Sequence, residues 1–514
     1  MIDPRTPILV GCGQITDTTS QPSSERSNVA FCAEAARLAL ADTGASIGAD
    51  ALGRKLDAVA VLEFFPDVSP RFASPFGRCT NPPRSVANRL NAAPRQQIYT
   101  HQGGNTPQYL VNRFAEEIAN GDTEFALICG AELLRSTQNA RKAGLAIDHN
   151  EDPGGEPTRV GDKRFGFSDE EARHDLRAAI HFYPLLENAI RAGLKRDVAS
   201  HMTAMGRLFA RLAAVARDNR LATRREGYSA ERLATISDDN RWICFPYPRL
   251  MNANAIIDQA AAVLMTSVEK ARECGIPEDR WVFLHGCADG VDTWVVSERQ
   301  RLDASPAING CARVALDMAG KTAADVAAFD LYSCFPIAVF NICDGLGLAP
   351  DDPRGLTVTG GLPFFGGAGN NYSMHAIASM TRALRARPGA LGLVGANGGF
   401  LSKYSVGIYS TAPKAWAGFD SRALQAEVDA WPAPALDPAF AGEAAIETYT
   451  IDYSGPQPRA TVIASSPAGA RVVAMADDPD QVAEMIARDP RDGRITVAPD
   501  AEGREIVGAF TPGA

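Results

Sequence analysis

Apolar residues in the first 135 positions form short continuous runs that alternate with amphipathic segments. The runs are PILVGCG at 7–13, LDAVAVLEF at 56–64 and FALICG at 125–130. Segments in which apolar residues recur at helical spacing lie between them, near 29–41 and after Thr106. Continuous apolar strands separated by helices are typical of a parallel sheet covered on both faces. This part of the chain is therefore predicted to be an α/β layer structure.

A second block with the same alternation begins near residue 282. Helices are predicted near 312–319 and 375–386, and a last strand, SVGIYST, follows residue 404. The remaining predicted strands are VFLHGCA at 282–288, AAFDLYSCF at 327–335, TVTGG at 357–361 and LGLVGANGG at 391–399. The two blocks share the pattern with negligible sequence identity. We expect two similar α/β halves, residues 1–255 and 256–417.

The segment between the blocks, 136–247, is predicted to be a helical and loop insertion rich in arginine. Its arginines include Arg217, Arg220 and Arg224. One interpretation is an ordinary solvated helical face, and the other is a clamp for the phosphate groups of a ligand.

The C-terminal region has a different pattern. A proline-rich linker, 418–442, is followed by short β-rich runs separated by Gly, Pro and Asp turns. Examples are IETYTIDY at 446–453 and ARVVAMA at 470–476. This spacing predicts a small antiparallel β-barrel over 443–514.

Composition excludes several classes of protein. The chain has 514 residues, of which 46% are hydrophobic, and a formal net charge of −10. An acidic chain without dense basic runs is not expected to bind nucleic acid. No window has the ~18 apolar residues needed to span a membrane, and no leader pattern precedes the first strand, so we expect a cytoplasmic protein. Ten cysteines without a CxxC pair predict neither a disulfide framework nor a zinc ribbon.

The stretch HQGGNTPQYL at 101–110 has the features of a ligand site at a helix start. Asn105 or Thr106 can cap the helix, and Pro107 suits its first position. The glycines Gly103 and Gly104 allow close approach of another group to the backbone. The free N–H groups of the first turn and the helix dipole then face that group.

Five stretches, taken together and in order, resemble the thiolase superfamily over roughly residues 5–412. They are ANGDTEFALICGAELL (119–134), IIDQAAAVLMTSVEKA (256–271), YSCF (332–335), GGLPFFGGAGNN (360–371) and GANGG (395–399). The resemblance implies a duplicated five-layer α/β thiolase fold. The extra β-barrel, which residues 440–512 fit, makes the chain most similar to type 1 thiolase-like proteins, relatives of the sterol-carrier thiolases and of acetyl-CoA acetyltransferases.

The resemblance also implies that the usual reactive side chains are missing. Thiolases use a nucleophilic cysteine, a histidine that activates it and a second cysteine as acid and base. These positions correspond to Gly104, Gly367 and Gly395 here, and the oxyanion Asn or His corresponds to Tyr332.

Other residues in the matched segments are candidates for the missing chemistry. His375 is a candidate base, Tyr332 a candidate polarising group and Cys334 the only thiol in a matched motif; each has an alternative interpretation as a packed structural residue. The candidates for binding a thioester or its oxyanion are Gly104, Asn105, Asn371, Asn397 and Gly398. The group His285, Cys287 and Asp289 has metal-ligand atoms, but its spacing is weak evidence, and no metal is expected.

Two classes of function follow from the resemblance. The first is CoA-dependent acyl transfer, or retro-Claisen cleavage of a β-keto substrate, in which the thiol of CoA attacks directly. The second is a non-catalytic acyl-CoA binding or scaffold protein. In both, coenzyme A is a ligand or co-substrate for which Arg217, Arg220 and Arg224 are candidate partners, and no bound cofactor is expected. The assembly is expected to be a monomer or a homodimer, with a place in lipid metabolism.

Overall fold

The first α/β half is a sheet covered by helices. The computed structural model describes residues 2–68, 70–164 and 166–513. The strands pair in the order β3-β2-β4-β8-β1. The elements are β1 (Pro7–Thr16), α1 (Asn28–Asp42), α2 (Ala49–Gly53), β2 (Ala58–Val61), α3 (Phe65–Val68), α4 (Pro82–Arg89), β3 (Gln96–Thr100), α5 (Thr106–Asn120), β4 (Phe125–Leu133) and, after the insertion, β8 (Asp258–Ser267).

The last strand of this sheet, β8, comes from the segment that we assigned to the second half. It pairs antiparallel with both β1 and β4. All ten of its residues are buried. The predicted boundary at 255/256 therefore separates β8 from the strands beside which it lies.

The second half repeats this plan, with strand order β10-β11-β12-β9. TVTGG at 357–361, predicted as a strand, is a buried loop in which Thr357 and Thr359 donate hydrogen bonds to Asp330. The elements are α11 (Val268–Glu273), β9 (Val282–Val291), α12 (Pro306–Ala319), β10 (Val326–Leu331), α13 (Pro336–Leu346), α14 (Tyr372–Arg385), β11 (Leu391–Gly398) and β12 (Lys403–Ser410).

The duplication is visible in two matching contacts, of α1 with β1 in the first half and of α12 with β9 in the second. A Cβ atom on Gly11 of β1 would lie 2.1 Å from the carbonyl oxygen of Ala39 in α1. A Cβ atom on Gly286 of β9 would likewise lie 2.1 Å from the carbonyl oxygen of Ala315 in α12. Only glycine allows either contact, so both halves use the same close approach of helix to strand.

The two half-sheets join edge to edge at a short antiparallel pairing of β1 with β9, Ile8 opposite Phe283 and Leu9 opposite Val282. Helices α5 and α14 contact each other and strands of both half-sheets, which places them between the sheets. Helix α1 covers one outer face and α12 the other. This arrangement confirms the predicted duplicated five-layer fold.

The insertion consists mostly of helices. One of its strands joins the sheet of the first half, and another joins the sheet of the C-terminal region. Strand β5 pairs in parallel with β3, and β6 pairs with β13 of the C-terminal region. The elements are α6 (Leu134–Ala143), β5 (Thr158–Val160), α7 (Asp169–Arg173), α8 (Ala179–Gly193), α9 (Val198–Asp218), α10 (Ala230–Ala234), β6 (Trp242–Cys244) and β7 (Tyr247–Pro248).

The C-terminal region is a closed five-stranded barrel, as predicted, with the order β13-β14-β15-β17-β16 and β16 pairing back to β13. Four of the five pairings are antiparallel and β15–β17 is parallel. The elements are α15 (Arg422–Asp429) in the predicted linker, β13 (Gly442–Asp452), β14 (Arg459–Ser465), β15 (Arg471–Ala476), α16 (Pro479–Arg488), β16 (Arg494–Pro499) and β17 (Glu505–Thr511).

All ten cysteines are free, and all but Cys79 are buried. Throughout the described ranges, the helices are too short or too polar to cross a bilayer.

Candidate functional site

A cavity of about 720 Å³ opens at the start of α5, where the insertion meets the segment after β11. Its lining is mainly apolar and includes Phe65, Phe72, Phe167, Phe335 and Phe400. Cavities of this size bind small molecules, and an apolar lining suits a hydrocarbon chain.

Gly104, Tyr332 and Asn397 line the cavity next to one another. A Cβ atom on Gly104 would lie 2.2 Å from the hydroxyl oxygen of Tyr332 and 2.5 Å from the carbonyl oxygen of Asn397. No side chain fits there without displacing one of these groups. Burial raises the pKa of Tyr332 well above its usual value, so this phenol remains protonated and neutral.

Two further glycines of the matched segments, Gly395 and Gly367, differ in the space around them. A Cβ atom on Gly395 would lie 2.5 Å from the hydroxyl oxygen of Tyr404, which has no hydrogen-bond partner among the described residues. At Gly367, which lines the cavity, the nearest atom to an added Cβ is Cβ of Ala253 at 3.3 Å. The space for a side chain is therefore filled at Gly395, whereas at Gly367 it is only tight.

Asn397 and Cys334 lie side by side in the cavity wall. Asn397 Nδ2 donates to the hydroxyl of Tyr183 at 2.7 Å and approaches Cys334 Sγ at 3.7 Å. The Oδ1 atom of Asn397 is buried and has no partner among the described residues. Burial raises the pKa of the Cys334 thiol to about 12. Because the thiolate is the nucleophilic form, Cys334 is poorly suited to attack a thioester at neutral pH.

The backbone at Gly104 presents a free donor to the cavity. The N–H of Gly103 donates to Asn370 Oδ1 at 2.8 Å, and the carbonyl of Gly104 accepts from Ser373 Oγ at 2.6 Å. The N–H of Gly104 has no acceptor in the described part of the chain. A free N–H beside a helix start can stabilise negative charge on a ligand oxygen.

Lys403 lines the cavity, and the sequence analysis did not identify it. Lys403 is only 8% exposed, and its Nζ atom donates a hydrogen bond to the carbonyl oxygen of Gln102 at 2.6 Å. Nζ also lies 5.5 Å from the centroid of the Trp294 ring. Burial lowers the pKa of Lys403 to about 8; Asp162 opposes this shift and Arg164 adds to it. A lysine at the start of a strand otherwise buried throughout is a signal that could have identified this residue.

Three further cations, Arg71, Arg164 and Arg177, line the cavity and are exposed, so they lie at its mouth. Arg164 is paired with Asp162 and lies over the Trp294 ring. Within the described ranges, no Asp or Glu lines the cavity. The site thus combines an apolar interior with an excess of positive charge.

His375 does not line the cavity. The residue is fully buried, its Nδ1 lies 2.9 Å from Oε1 of Gln14, and its ring packs against Phe365. Burial, with a contribution from Arg382, lowers its pKa to about 3, so it is neutral. Helix α14 lies between the two half-sheets, and its first turn therefore directs His375 into the core.

Some of the other predicted site residues line the cavity and some do not. Gly104, Tyr332, Cys334, Asn397 and Gly398 line the cavity. Asn105 and Asn371 do not, because their Nδ2 atoms bind Ser405 Oγ at 3.2 Å and the carbonyl of Gly130 at 2.7 Å.

The three predicted CoA-binding arginines also lie outside the cavity lining. Arg217 is exposed and pairs with Asp218 at 3.1 Å. Arg224 donates to the carbonyl of Pro363 at 3.2 Å, and Arg220 is exposed. Two of the cations that line the cavity, Arg164 and Arg177, come from the same insertion, whereas Arg71 and Lys403 do not.

The described groups of residues that could bind a metal ion lie outside the cavity lining. Among the described residues, two groups bring three ligand atoms within 4.8 Å of one another: Glu170, His174 and Glu505, and His181, Cys244 and Asp452. Neither contains a cavity-lining residue, and His285, Cys287 and Asp289 do not form such a group.

Comparison with solved structures identifies the class of fold. An acetyl-CoA acetyltransferase from Syntrophomonas wolfei is 15% identical, with a TM-score of 0.54 over 79% of this chain and 99% of that one. Human mitochondrial 3-ketoacyl-CoA thiolase, solved in complex with CoA, is 16% identical, with a TM-score of 0.53 over 80% of this chain and 100% of that one. The fold is that of a thiolase.

A more similar structure narrows the class. The monomeric SCP2-thiolase-like protein type 1 of Mycobacterium smegmatis is 42% identical, with a TM-score of 0.84, and the match covers 99% of each chain. Residues 423–502 match the family model of the thiolase-like protein type 1 additional C-terminal domain. The chain belongs to the thiolase-like protein type 1 family. No curated protein sequence matches it significantly.

Proposed function

We propose that the cavity binds an acyl thioester of coenzyme A. The observation that carries this proposal is the lining, which combines aromatic walls with four cations and no described carboxylate. The acyl chain would occupy the apolar interior, and the phosphate groups of CoA would lie near Arg71, Arg164 and Arg177 at the mouth.

The bound thioester is not expected to transfer its acyl group to the protein. Gly104 has no side chain to acylate, and the Tyr332 hydroxyl fills the space beside it. The thiol of Cys334 is neutral at physiological pH because its pKa is raised. We therefore expect thiolysis of acetoacetyl-CoA to be absent or very slow, since a lost covalent nucleophile and its base remove many powers of ten in rate.

Thermal unfolding with and without ligand tests the binding. A ligand that binds only the folded protein stabilises it by about 2.7 kcal/mol at 100 times its Kd. A medium-chain acyl-CoA should raise the unfolding temperature more than CoA alone, because only the former fills the apolar interior.

Matched variants place the binding site. Arg177→Ala at the mouth should weaken binding, whereas Arg217→Ala, outside the lining, should not. An unchanged unfolding temperature at millimolar acyl-CoA, or equal effects of the two substitutions, would contradict the proposal.

The second candidate function is cleavage of a β-keto thioester by CoA itself, favoured by the unoccupied N–H of Gly104. The CoA sulfur would attack the ketone carbon, the adjacent C–C bond would break, and the released carbanion would take up a proton. Products would appear without an initial acyl-enzyme burst, and Cys334→Ala would retain the activity. A trapped acyl-cysteine would rule out this route.

We further propose that the protein is a monomer. The Mycobacterium smegmatis relative is described as monomeric, and the similarity extends over the whole chain. Light scattering after size-exclusion chromatography should give a mass near 54.7 kDa. A mass twice as large would contradict this proposal.

A further inference from the structure

The cavity contains a buried lysine that no described carboxylate neutralises. Lys403 is the first residue of β12 and pairs with Gly398 at the end of β11. This position brings Nζ beside the start of α5, where a Cβ atom on Gly103 would lie 3.0 Å from it. The amine thus reaches the same end of the cavity as Gly104.

The contacts of Nζ hold it in place without removing its reactivity. Its hydrogen bond to the Gln102 carbonyl uses one N–H, and a neutral amine can keep this bond while its lone pair stays available. The Trp294 ring lies on one side of the amine, with its centroid 5.5 Å from Nζ. The charged groups that influence the amine are Asp162, Arg164 and Glu63.

We propose that Lys403 forms an imine with the ketone carbonyl of a β-keto acid held in the cavity. The inference goes beyond acyl-CoA binding because it requires no CoA. Arg164 lies over the same Trp294 ring as Nζ and suits the carboxylate of such a substrate, and the apolar walls suit its hydrocarbon part.

Imine formation and the loss of CO₂ require no oxidant, reductant or other co-reactant besides water. The amine lone pair attacks the ketone carbon, the oxygen leaves as water, and a C=N bond forms. The protonated imine then accepts the electron pair of the bond to the carboxyl group, and CO₂ leaves. The resulting enamine is protonated and hydrolysed, which yields a methyl ketone and the free amine. With a pKa of about 8, about a tenth of the Lys403 amine is neutral at pH 7.

Reductive trapping tests the inference directly. The full chain is incubated with acetoacetate and borohydride, without CoA, and adducts are located by peptide mass spectrometry. Lys414→Met is the matched control, because Lys414 is also partly buried and bound to two backbone carbonyls but lies outside the cavity. One adduct at Lys403 is expected in the wild type and in Lys414→Met, and none in Lys403→Arg.

The pH dependence gives a second measure that does not require a variant. Trapping should rise through a midpoint near pH 8, whereas exposed lysines require a pH above 10. Adducts spread over surface lysines, or a midpoint above pH 10, would overturn the imine.

The same samples separate this inference from acyl-CoA binding. No adduct in protein that acyl-CoA still stabilises would overturn only the imine. An adduct at Lys403 in protein that acyl-CoA does not stabilise would support the imine and contradict acyl-CoA binding.

Discussion

The hydroxyl of Tyr332 lies where a side chain at position 104 would be, and this contact is testable by mutation. Gly104→Cys should destabilise the protein by about 1–3 kcal/mol because the added atoms overlap the phenol. Tyr332→Ala removes the ring and makes room for the new side chain. The double variant should therefore lose about 1 kcal/mol less free energy of unfolding than the two single variants lose together.

Urea unfolding of the two single variants and the double variant measures this coupling. Gly121→Cys provides a comparison, because a Cβ there meets no atom within 4 Å, although its φ of 83° adds backbone strain. Strict additivity of Gly104→Cys and Tyr332→Ala would show that the two positions do not compete for space.

At the scale of single residues, the sequence predicted some of the residues that line the cavity. Gly104, Tyr332 and Asn397 were found because motif order locates backbone segments that the fold then brings together. The side chain of His375 could not be placed, since one residue of helical rotation decides between cavity and core. Lys403 begins an apolar strand, which is a signal in the sequence, but its burial and its lack of a carboxylate partner are visible only in the structure.

Strand β17 carries a buried carboxyl group whose protonation should be linked to folding. Glu505 is fully buried, and its Oε2 atom lies 3.1 Å from Nε2 of His174, a ring nitrogen that also accepts a hydrogen bond from the Glu505 N–H. Burial raises its pKa to about 7, with nearby Glu170 adding to the shift and Arg173 opposing it. The folded protein thus holds a proton that the unfolded chain releases near pH 4.5.

Stability should therefore fall as pH rises between about 4.5 and 7, by at most about 1.4 kcal/mol per pH unit from this group. Glu505→Gln keeps a neutral side chain and removes this contribution. The stability of the wild type relative to Glu505→Gln should decrease across this range and level off above pH 7. Urea unfolding at several pH values measures it, and a constant difference would refute the assignment.

Elements were predicted best where apolar runs are continuous. Strands β1, β4, β9 and β11 are buried on both faces, which leaves an unambiguous pattern. TVTGG was misread because β-branched residues next to glycine suit a strand, whereas here their hydroxyls bind Asp330. Strand β17 was not predicted because only Val507 and Phe510 of EIVGAFT are both apolar and buried.

The molecule as a whole is held together partly by charge between the insertion and the barrel. Arg191 of α8 is almost completely buried and pairs with Asp489, which follows α16, at 2.7 and 2.8 Å. Asp489→Asn should cost about 2 kcal/mol or more, because it leaves the guanidinium buried without its counter-charge.

The neighbouring Asp492→Asn is the control, since Asp492 is exposed and its contact with Arg491 is 3.7 Å. It should change the free energy of unfolding by less than about 0.5 kcal/mol. Equal effects of the two substitutions would mean that the Arg191 pair does not stabilise the junction.

The pairing of β6 with β13 also constrains when this sheet can form during synthesis of the chain. Cys244 and Asp452 face each other across this pairing and are 208 positions apart in the chain. At about 5–20 residues per second, the ribosome needs roughly 10–40 s to synthesise the intervening chain. During that interval β6 can pair with β7, but its edge that faces β13 has no partner. A nascent chain stalled before residue 442 should therefore depend on chaperones that cover an open strand edge, and this dependence should end once the barrel emerges.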